Sequence, residues 1–161
     1  MSHIKLKRLN ANARLPAQAP DSVGFDLFAS QAVELAGQST TLVPTGWALA
    51  DEPIVSGTCI HGNLRTLLKI EGRSGLALRA GIWPVGGIID PGYRGEIGVI
   101  MYNSSARPYH VELGHRIAQF VWYPVVTNWP EYGRAVNFIE VEDAKSTATV
   151  RGSLGFGSSG I

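Results

Sequence analysis

The sequence has little of what marks secreted, membrane-bound or nucleic-acid-binding proteins. Among its 161 residues only Cys59 is a cysteine, so no disulfide can form within the chain and a reducing compartment is expected. No apolar run reaches the roughly 20 residues of a membrane-spanning helix, and the basic stretch Met1–Leu9 lacks the apolar core of a signal peptide. A formal net charge of +1 excludes a broad basic surface. We therefore expect a cytoplasmic protein with no membrane and no direct nucleic-acid partner.

Charged residues are also scarce, at 17%, whereas glycine (19 residues) and proline (9) are frequent. This composition favours short strands and tight turns over long surface helices. Strands are predicted in the β-branched and aromatic runs Val23–Ala29, Thr40–Ala50, Ile97–Tyr102 and Ile117–Val126. A short helix is indicated around Gly75–Ala80. The chain is thus predicted to be one all-β domain, a sandwich or barrel.

The segment Gly87–Glu96 carries the best local signal for a ligand site. Pro91 and Gly92 predict a type II turn, which needs a positive φ at its third residue. Asp90 and Tyr93 would then flank the mouth of a hairpin, where a carboxylate beside an aromatic ring suits a sugar. From turn chemistry alone, a plain turn in which Asp90 bonds its own backbone explains the segment better.

Three other polar groups suit an anionic ligand. Gly72-Arg73-Ser74-Gly75 sets a cation and a hydroxyl beside open backbone, which is what a phosphate oxygen requires. Gln119 lies in the strand Arg116–Phe120 on a predicted apolar face, as a satisfied core residue or a ligand-facing one. Asp26 sits in an apolar strand and needs a partner or a metal-bound water. Each group alone also has a purely structural explanation.

The segment Arg151–Ile161 is too rich in glycine and serine to bury a core of its own. It lacks the closing Gly-Lys-Ser/Thr of a Walker A loop. A linker or a cloning remnant is the plain explanation, but Arg151 and Phe156 within the stretch argue against a mere remnant. Glycine backbone can approach phosphates closely, so a ligand could order this tail.

Taken together, these five segments resemble the trimeric dUTPase family, whose motifs they match in order and approximate spacing from about Leu15 to Gly160. The resemblance implies a distorted jelly-roll or β-clip barrel in residues 1–150 that assembles as a homotrimer. It implies that residues 151–161 form a lid over an active site of a neighbouring subunit. The implied activity is Mg²⁺-assisted hydrolysis of dUTP, which controls dUTP and supplies dUMP for thymidylate synthesis, in the cytoplasm or, for a viral chain, the host-cell cytoplasm.

The resemblance also implies roles for individual residues. Asp90 would bond the deoxyribose 3′-hydroxyl near the attacking water, Gln119 would contact the α-phosphate region, and Arg151 would reach the γ-phosphate. Asp26 would touch the water shell of a magnesium ion held mainly by the triphosphate. Substrate-binding residues would be Arg73, Ser74 and Gly75 at the phosphates, Gly87, Ile88, Ile89 and Gly98 at the uracil edge, Tyr93 on the deoxyribose, and Phe156, Gly157, Ser158 and Ser159 in the tail.

Some positions depart from the family pattern. The third motif usually has a second aspartate where this chain has Gly92, and Gly72 replaces the usual proline before Arg73. The stretch Pro53–Glu71 is longer than the family norm. It is interpreted as a binding surface for a protein partner or as an elongated hairpin.

Two other functions compete with dUTP hydrolysis. A dCTP deaminase, alone or bifunctional, shares this fold, and Asp90-Pro91-Gly92 looks like its hairpin. The deaminase glutamate, however, aligns with Ile100, which cannot shuttle a proton. A non-catalytic nucleotide-binding or regulatory protein on the same fold is the second alternative, since fold does not fix function.

Overall fold

The chain is described from a computed structural model. It covers residues 4–50, 63–129 and 134–135, with side chains for residues 4–50 and 67–125. Among these residues, no helix is long and apolar enough to cross a membrane.

Nearly all regular structure in the described part is β. The single helix is α1 (Ser74–Ala80). The strands are β1 (Leu6–Arg8), β2 (Ala17–Gln18), β3 (Phe25–Phe28), β4 (Val33–Leu35), β5 (Ser39–Leu49), β6 (Asn63–Glu71), β7 (Ile82–Pro84), β8 (Ile88–Ile89), β9 (Glu96–Asn103), β10 (Tyr109–Val111), β11 (Arg116–Trp129) and β12 (Arg134–Ala135). The all-β prediction is confirmed, and each of the four predicted strands and the short helix lies where expected.

The strands form two main sheets and one small ribbon. One sheet has the order β1-β5-β9-β7, the other has β2-β3-β11-β6-β8 with β12 beside β11, and β10 pairs with β4. All pairs are antiparallel. Buried side chains from both main sheets, among them Val43, Val99, Leu68 and Phe120, belong to one core cluster.

Buried and exposed residues alternate along β9, but this alternation is interrupted in β11 by a local shift of register. In β9, Ile97, Val99, Met101 and Asn103 are buried while the residues between them face outward. In β11 the pairing with β3 shifts register between Arg116 and Ala118, and Ile117 and Ala118 are both buried. This irregularity separates Gln119 from the apolar face on which alternation with Ile117 would place it.

The helix α1 is short and ends cleanly. Gly81 adopts φ +64°, the left-handed conformation that commonly ends helices, and its N–H donates to the Ala77 carbonyl at 3.0 Å. The strand β7 begins at the next residue with the fully buried Ile82. The helix therefore sits at a corner between the two main sheets.

Much of the stretch Pro53–Glu71 is framework. Residues 63–71 form β6, which pairs with β11 on one side and with β8 on the other, and Leu68 and Ile70 are buried. Residues 53–62 lie outside the described part of the chain. The partner surface predicted for the stretch Pro53–Glu71 stays a prediction.

Candidate functional site

A carboxylate between two arginines forms the centre of the candidate site. Asp26, on β3, accepts the Arg73 Nε–H at 3.1 Å on Oδ1 and an Arg116 Nη1–H at 3.4 Å on Oδ2. Arg73 also donates to the Arg116 main-chain carbonyl at 3.3 Å. The Asp26 side chain is only 22% exposed. A carboxylate buried to this extent requires a compensating partner, and the two arginines provide it. Two cations are thus fixed side by side with one negative charge beneath them.

Gln119 lies at the same end of the sheet. It is paired in register with Asp26 on β3 and with Glu71 on β6, and its Nε2 donates to the Gly72 carbonyl at 3.2 Å. A Cβ on Gly24 would lie 2.1 Å from the Gln119 side-chain oxygen. The glycine therefore leaves the space that the amide occupies, and Gln119 is neither a core residue nor free of contacts.

Ser74 and Gly75 form the first turn of α1, directly after Arg73. First-turn N–H groups have no partner within a helix, and no side chain caps this end. Arg79, one turn later, donates from Nε to the Gly75 carbonyl at 3.2 Å. The predicted phosphate-binding group is thus brought beside Asp26, Arg116 and Gln119.

The hairpin that carries Asp90 and Tyr93 differs from its predicted geometry. The Tyr93 N–H donates to the Asp90 carbonyl at 3.0 Å, which closes a four-residue turn, but Gly92 does not adopt positive φ. The type II prediction is therefore wrong, because a turn with negative φ at its third residue accommodates Pro91 equally well. Positive φ occurs instead at Gly86 (+72°) and Gly87 (+102°), where the chain passes from β7 to β8.

Besides its positive φ, the close approach of β6 also requires a glycine at position 87. A Cβ there would lie 2.8 Å from the Ile70 carbonyl oxygen, and the Ile70 N–H donates to the Gly87 carbonyl at 2.7 Å. The following residues, Ile88 and Ile89, pair with Lys69 and Leu68 on β6. The start of the hairpin is therefore fixed against the sheet.

Gly98 lies in the other main sheet, and its backbone points toward the edge at which β7 ends. The Ile100 carbonyl accepts the Val85 N–H at 2.9 Å on that edge. Residues two apart in an antiparallel strand direct their N–H and C=O groups to the same side, so the Gly98 groups point there as well. This edge adjoins the Gly86–Gly87 corner.

The hairpin and the arginine cluster are far apart within one chain. Asp90 follows β8 at the level of Leu67 on β6, whereas Gln119 is paired with Glu71, four residues further along. Four residues at about 3.3 Å and two strand spacings at about 4.8 Å separate their Cα atoms by about 16 Å. Asp90 and Gln119 are therefore not neighbours within one chain.

The contacts of two residues, Arg116 and Glu96, were not predicted from the sequence. Arg116 lies in the strand that the sequence analysis named only for Gln119. The sequence signal that could have indicated Arg116 was the need of Asp26 for a cationic partner. Glu96 accepts the Gly46 N–H at 2.7 Å on Oε1, and its main-chain carbonyl accepts the Tyr93 hydroxyl at 3.1 Å. The remaining predicted residues, Arg151, Phe156, Gly157, Ser158 and Ser159, lie outside the described residues.

Comparison with known proteins identifies the family to which the chain belongs. A family model described as dUTPase matches residues 11–160. The chain is 38% identical over 159 residues to the deoxyuridine 5′-triphosphate nucleotidohydrolase of Oryza sativa subsp. japonica, covering 98% of this chain and 81% of that protein. It is 39% identical over 162 residues to the protein of the same name from Helicobacter hepaticus, with 99% and 89% covered. The chain belongs to the dUTPase family.

The fold agrees with solved dUTPases. The dUTPase of Staphylococcus bacteriophage 80alpha, determined with dUpNHpp, matches with a TM-score of 0.75 at 24% identity, over 100% of both chains. A dUTPase from phage phi11 of S. aureus, solved with the coordination of a structural Mg(II) ion, matches with a TM-score of 0.66 at 20% identity, over 89% of this chain and 99% of that one. At these identities the structures establish the dUTPase fold, and the sequence relatives establish the family.

Proposed function

We propose that this dUTPase-family chain hydrolyses dUTP to dUMP and pyrophosphate through attack of water on the α-phosphorus. The observation that carries the proposal is the paired cations Arg73 and Arg116, held by Asp26 beside Gln119, in a chain with full-length dUTPase relatives. In the reaction, a water oxygen bonds to the α-phosphorus, and the bond from phosphorus to the α–β bridging oxygen breaks. The electron pair leaves with pyrophosphate, which takes up one proton of the water, and the other proton is released to solvent.

The described residues mainly position the substrate and stabilise the charge that develops on its phosphates. Arg73, with the first-turn N–H groups of Ser74 and Gly75, holds phosphate oxygens through charge-assisted hydrogen bonds. Gln119 orients the α-phosphate or its water, and Gly24 leaves it the space to do so. Since the donors are fixed before the substrate arrives, little reorganisation is needed as charge builds on the phosphates.

The hairpin supplies recognition of the nucleoside. Asp90 binds the 3′-hydroxyl near the attacking water, and the Tyr93 ring covers the deoxyribose face and excludes a 2′-hydroxyl. Backbone groups of Gly87, Ile88, Ile89 and Gly98 bind the uracil edge. The Tyr93 hydroxyl is 3.1 Å from the Glu96 carbonyl, which holds the ring at the hairpin mouth.

A magnesium ion fits this site as a companion of the triphosphate. Among the described residues no cluster of three or more His, Cys, Asp or Glu side chains could hold an ion alone. Asp26 offers Oδ2, whose contact with Arg116 is long at 3.4 Å, to the water shell of an ion carried by the substrate. Bound there, Mg²⁺ would offset the negative charge that develops on the phosphates.

We propose that three copies assemble, and that the nucleotide binds between them. The separation of about 16 Å between the Cα atoms of Asp90 and Gln119 within one chain supports a site to which a second copy brings its hairpin. An apolar outer face of the four-stranded sheet is available for assembly. Its paired residues Leu42 and Ile100 are 61% and 44% exposed, and Trp83 is 39% exposed.

We place the tail, residues 151–161, as a lid over a neighbour's site, with residues 1–150 as the β domain. Arg151 reaches the γ-phosphate, Phe156 covers the uracil, and Gly157, Ser158 and Ser159 add donors. Closure of the lid excludes bulk water during the reaction.

We propose that the protein acts in the cytoplasm on a small nucleotide substrate. A protein partner that binds the stretch 53–71 is a separate proposal, for which deletion of residues 53–62, which leaves strand β6 intact, should abolish partner binding and preserve turnover.

Hydrolysis of dUTP in ¹⁸O-labelled water tests the mechanism. Attack at the α-phosphorus places the label in dUMP and leaves pyrophosphate unlabelled. Label in pyrophosphate would contradict the proposed attack.

Complementation tests the shared site. Asp90→Asn and Gln119→Ala variants, each inactive alone, should regain activity when unfolded together and refolded as mixed oligomers. Each variant refolded alone is the control. Mixed oligomers that stay inactive would refute the assignment of the two residues to different subunits.

A further inference from the structure

A second cationic cavity adjoins the arginine cluster on the side of α1. It has a volume of about 390 Å³, against about 30 Å³ for one water in the liquid, so it admits an anion of several atoms. Its lining residues include Arg73, Gly75, Arg79, His115 and Arg116. Residues from α1 and from β11 thus face each other across one space.

The arginines that line this cavity are its concentrated charge, and Asp26, which is paired with two of them, offsets part of it. Three arginines line the cavity, and of the described residues that line it none is acidic. Asp26, the carboxylate shared by Arg73 and Arg116, lines the neighbouring cavity instead. Because the whole chain carries a net charge of only +1, this local excess is a specific feature of the surface and not a general property of the protein.

Arg79 is the cation in this cavity that the proposed mechanism does not use. Its Nε donates to the Gly75 carbonyl at 3.2 Å, and a Cβ on Gly75 would lie 2.9 Å from an Arg79 terminal nitrogen. The guanidinium therefore lies over the glycine that follows Arg73 and Ser74. One hydrogen bond occupies one of its five donors, and the others remain for an oxyanion.

We propose that Arg79, together with Arg73 and Arg116, forms a subsite for the distal diphosphate of the nucleotide, and that it holds pyrophosphate after the bond breaks. The proposal rests on the proposed function for the identity of the reaction, but binding of pyrophosphate can be measured without turnover. Among phosphate-bearing ligands, the diphosphate is favoured because three cations around one cavity suit an ion with several negative charges.

A purely structural role for Arg79 makes a different prediction. A cation in the last turn of a helix interacts favourably with the helix dipole, and its removal would then lower stability without altering pyrophosphate affinity. The Arg79→Lys variant separates these effects. It keeps the charge at the helix end but loses the planar fork that binds two phosphate oxygens at once.

Isothermal titration of the full-length protein with inorganic pyrophosphate, in chelator and without Mg²⁺, tests the subsite. Arg79→Ala should raise the Kd for pyrophosphate roughly tenfold, as expected for a lost charge-assisted contact. Arg79→Lys should raise it less, and the Kd for dUMP should not change in either variant. Arg107→Ala, which removes an exposed arginine of the β9–β10 turn, is the matched control and should match the wild type.

Unchanged pyrophosphate affinity in Arg79→Ala would overturn the subsite, as would an equal loss of dUMP affinity. These results are independent of turnover. A wild-type protein that binds pyrophosphate through Arg79 but does not hydrolyse dUTP would refute the proposed function and leave the subsite standing. A protein that hydrolyses dUTP with unchanged pyrophosphate affinity in Arg79→Ala would do the reverse.

Discussion

The glycines of the β7–β9 connection give a graded prediction for stability. Gly87 has φ +102°, and a Cβ there would meet the Ile70 carbonyl oxygen at 2.8 Å. The backbone conformation alone costs an alanine about 1–2 kcal/mol, and the overlap with a main-chain atom of β6 adds to it. We expect Gly87→Ala to lower the free energy of unfolding by roughly 2–3 kcal/mol.

Two neighbouring glycines are internal controls. Gly86 has φ +72° but open space around its Cβ position, so Gly86→Ala should cost about 1 kcal/mol, from the backbone alone. Gly92 has neither a positive φ nor a close neighbour. Gly92→Ala should leave stability unchanged or raise it by up to about 1 kcal/mol, because alanine restricts the unfolded chain.

The comparison is urea unfolding of the three variants at one fixed protein concentration, because the proposed assembly would couple stability to concentration. We expect the loss of unfolding free energy to be largest for Gly87→Ala, smaller for Gly86→Ala and smallest for Gly92→Ala. Gly92→Ala as the worst variant would show that the turn is of type II after all. Gly87→Ala with wild-type stability would refute the close contact with Ile70.

Three further predictions concern side chains. Asp26→Asn removes the charge between the half-buried Arg73 and the exposed Arg116 and should lower the free energy of unfolding by about 1 kcal/mol, between the values for exposed and buried pairs; unchanged urea unfolding would contradict this. Gly24→Ala should displace the Gln119 amide and lower kcat more than tenfold, as for a misplaced reacting group, whereas wild-type kinetics would refute the need for glycine. The hydrogen bond and attraction of Glu71 raise the pKa of Lys69 above its ordinary 10.5; this stabilises the fold below the unfolded pKa and fades as pH rises through the folded one. Glu71→Gln should bring the Lys69 pKa down in an NMR titration, and an unchanged pKa would count against the pair at 2.7 Å.

The sequence predicted what depends on local patterns. The strand positions followed from apolar runs bounded by glycine and proline, and the helix from the segment after Arg73. The type II turn was wrong because Pro91-Gly92 permits two turn geometries, and the dipeptide itself does not select between them. The distant contacts of Asp26 could not be predicted, since they depend on which strands become neighbours.

The site was predicted as a set of residues but not as a geometry. The family resemblance assigns Asp90 and Gln119 to one reaction and implies active sites that collect residues from all three subunits, whereas the separation of the two residues within one chain follows from the sheet order. The framework role of residues 63–71 was missed for the same reason, because a strand between two others is defined by its partners.

Hydrolysis of dUTP is tested by comparing dUTP, dCTP, dTTP and UTP as substrates with Mg²⁺, with pyrophosphate release measured and the nucleotide products separated by chromatography. The account predicts rapid formation of dUMP and pyrophosphate from dUTP, with little turnover of the other three. Conversion of dCTP to a uracil nucleotide would contradict it, and so would the absence of turnover with all four.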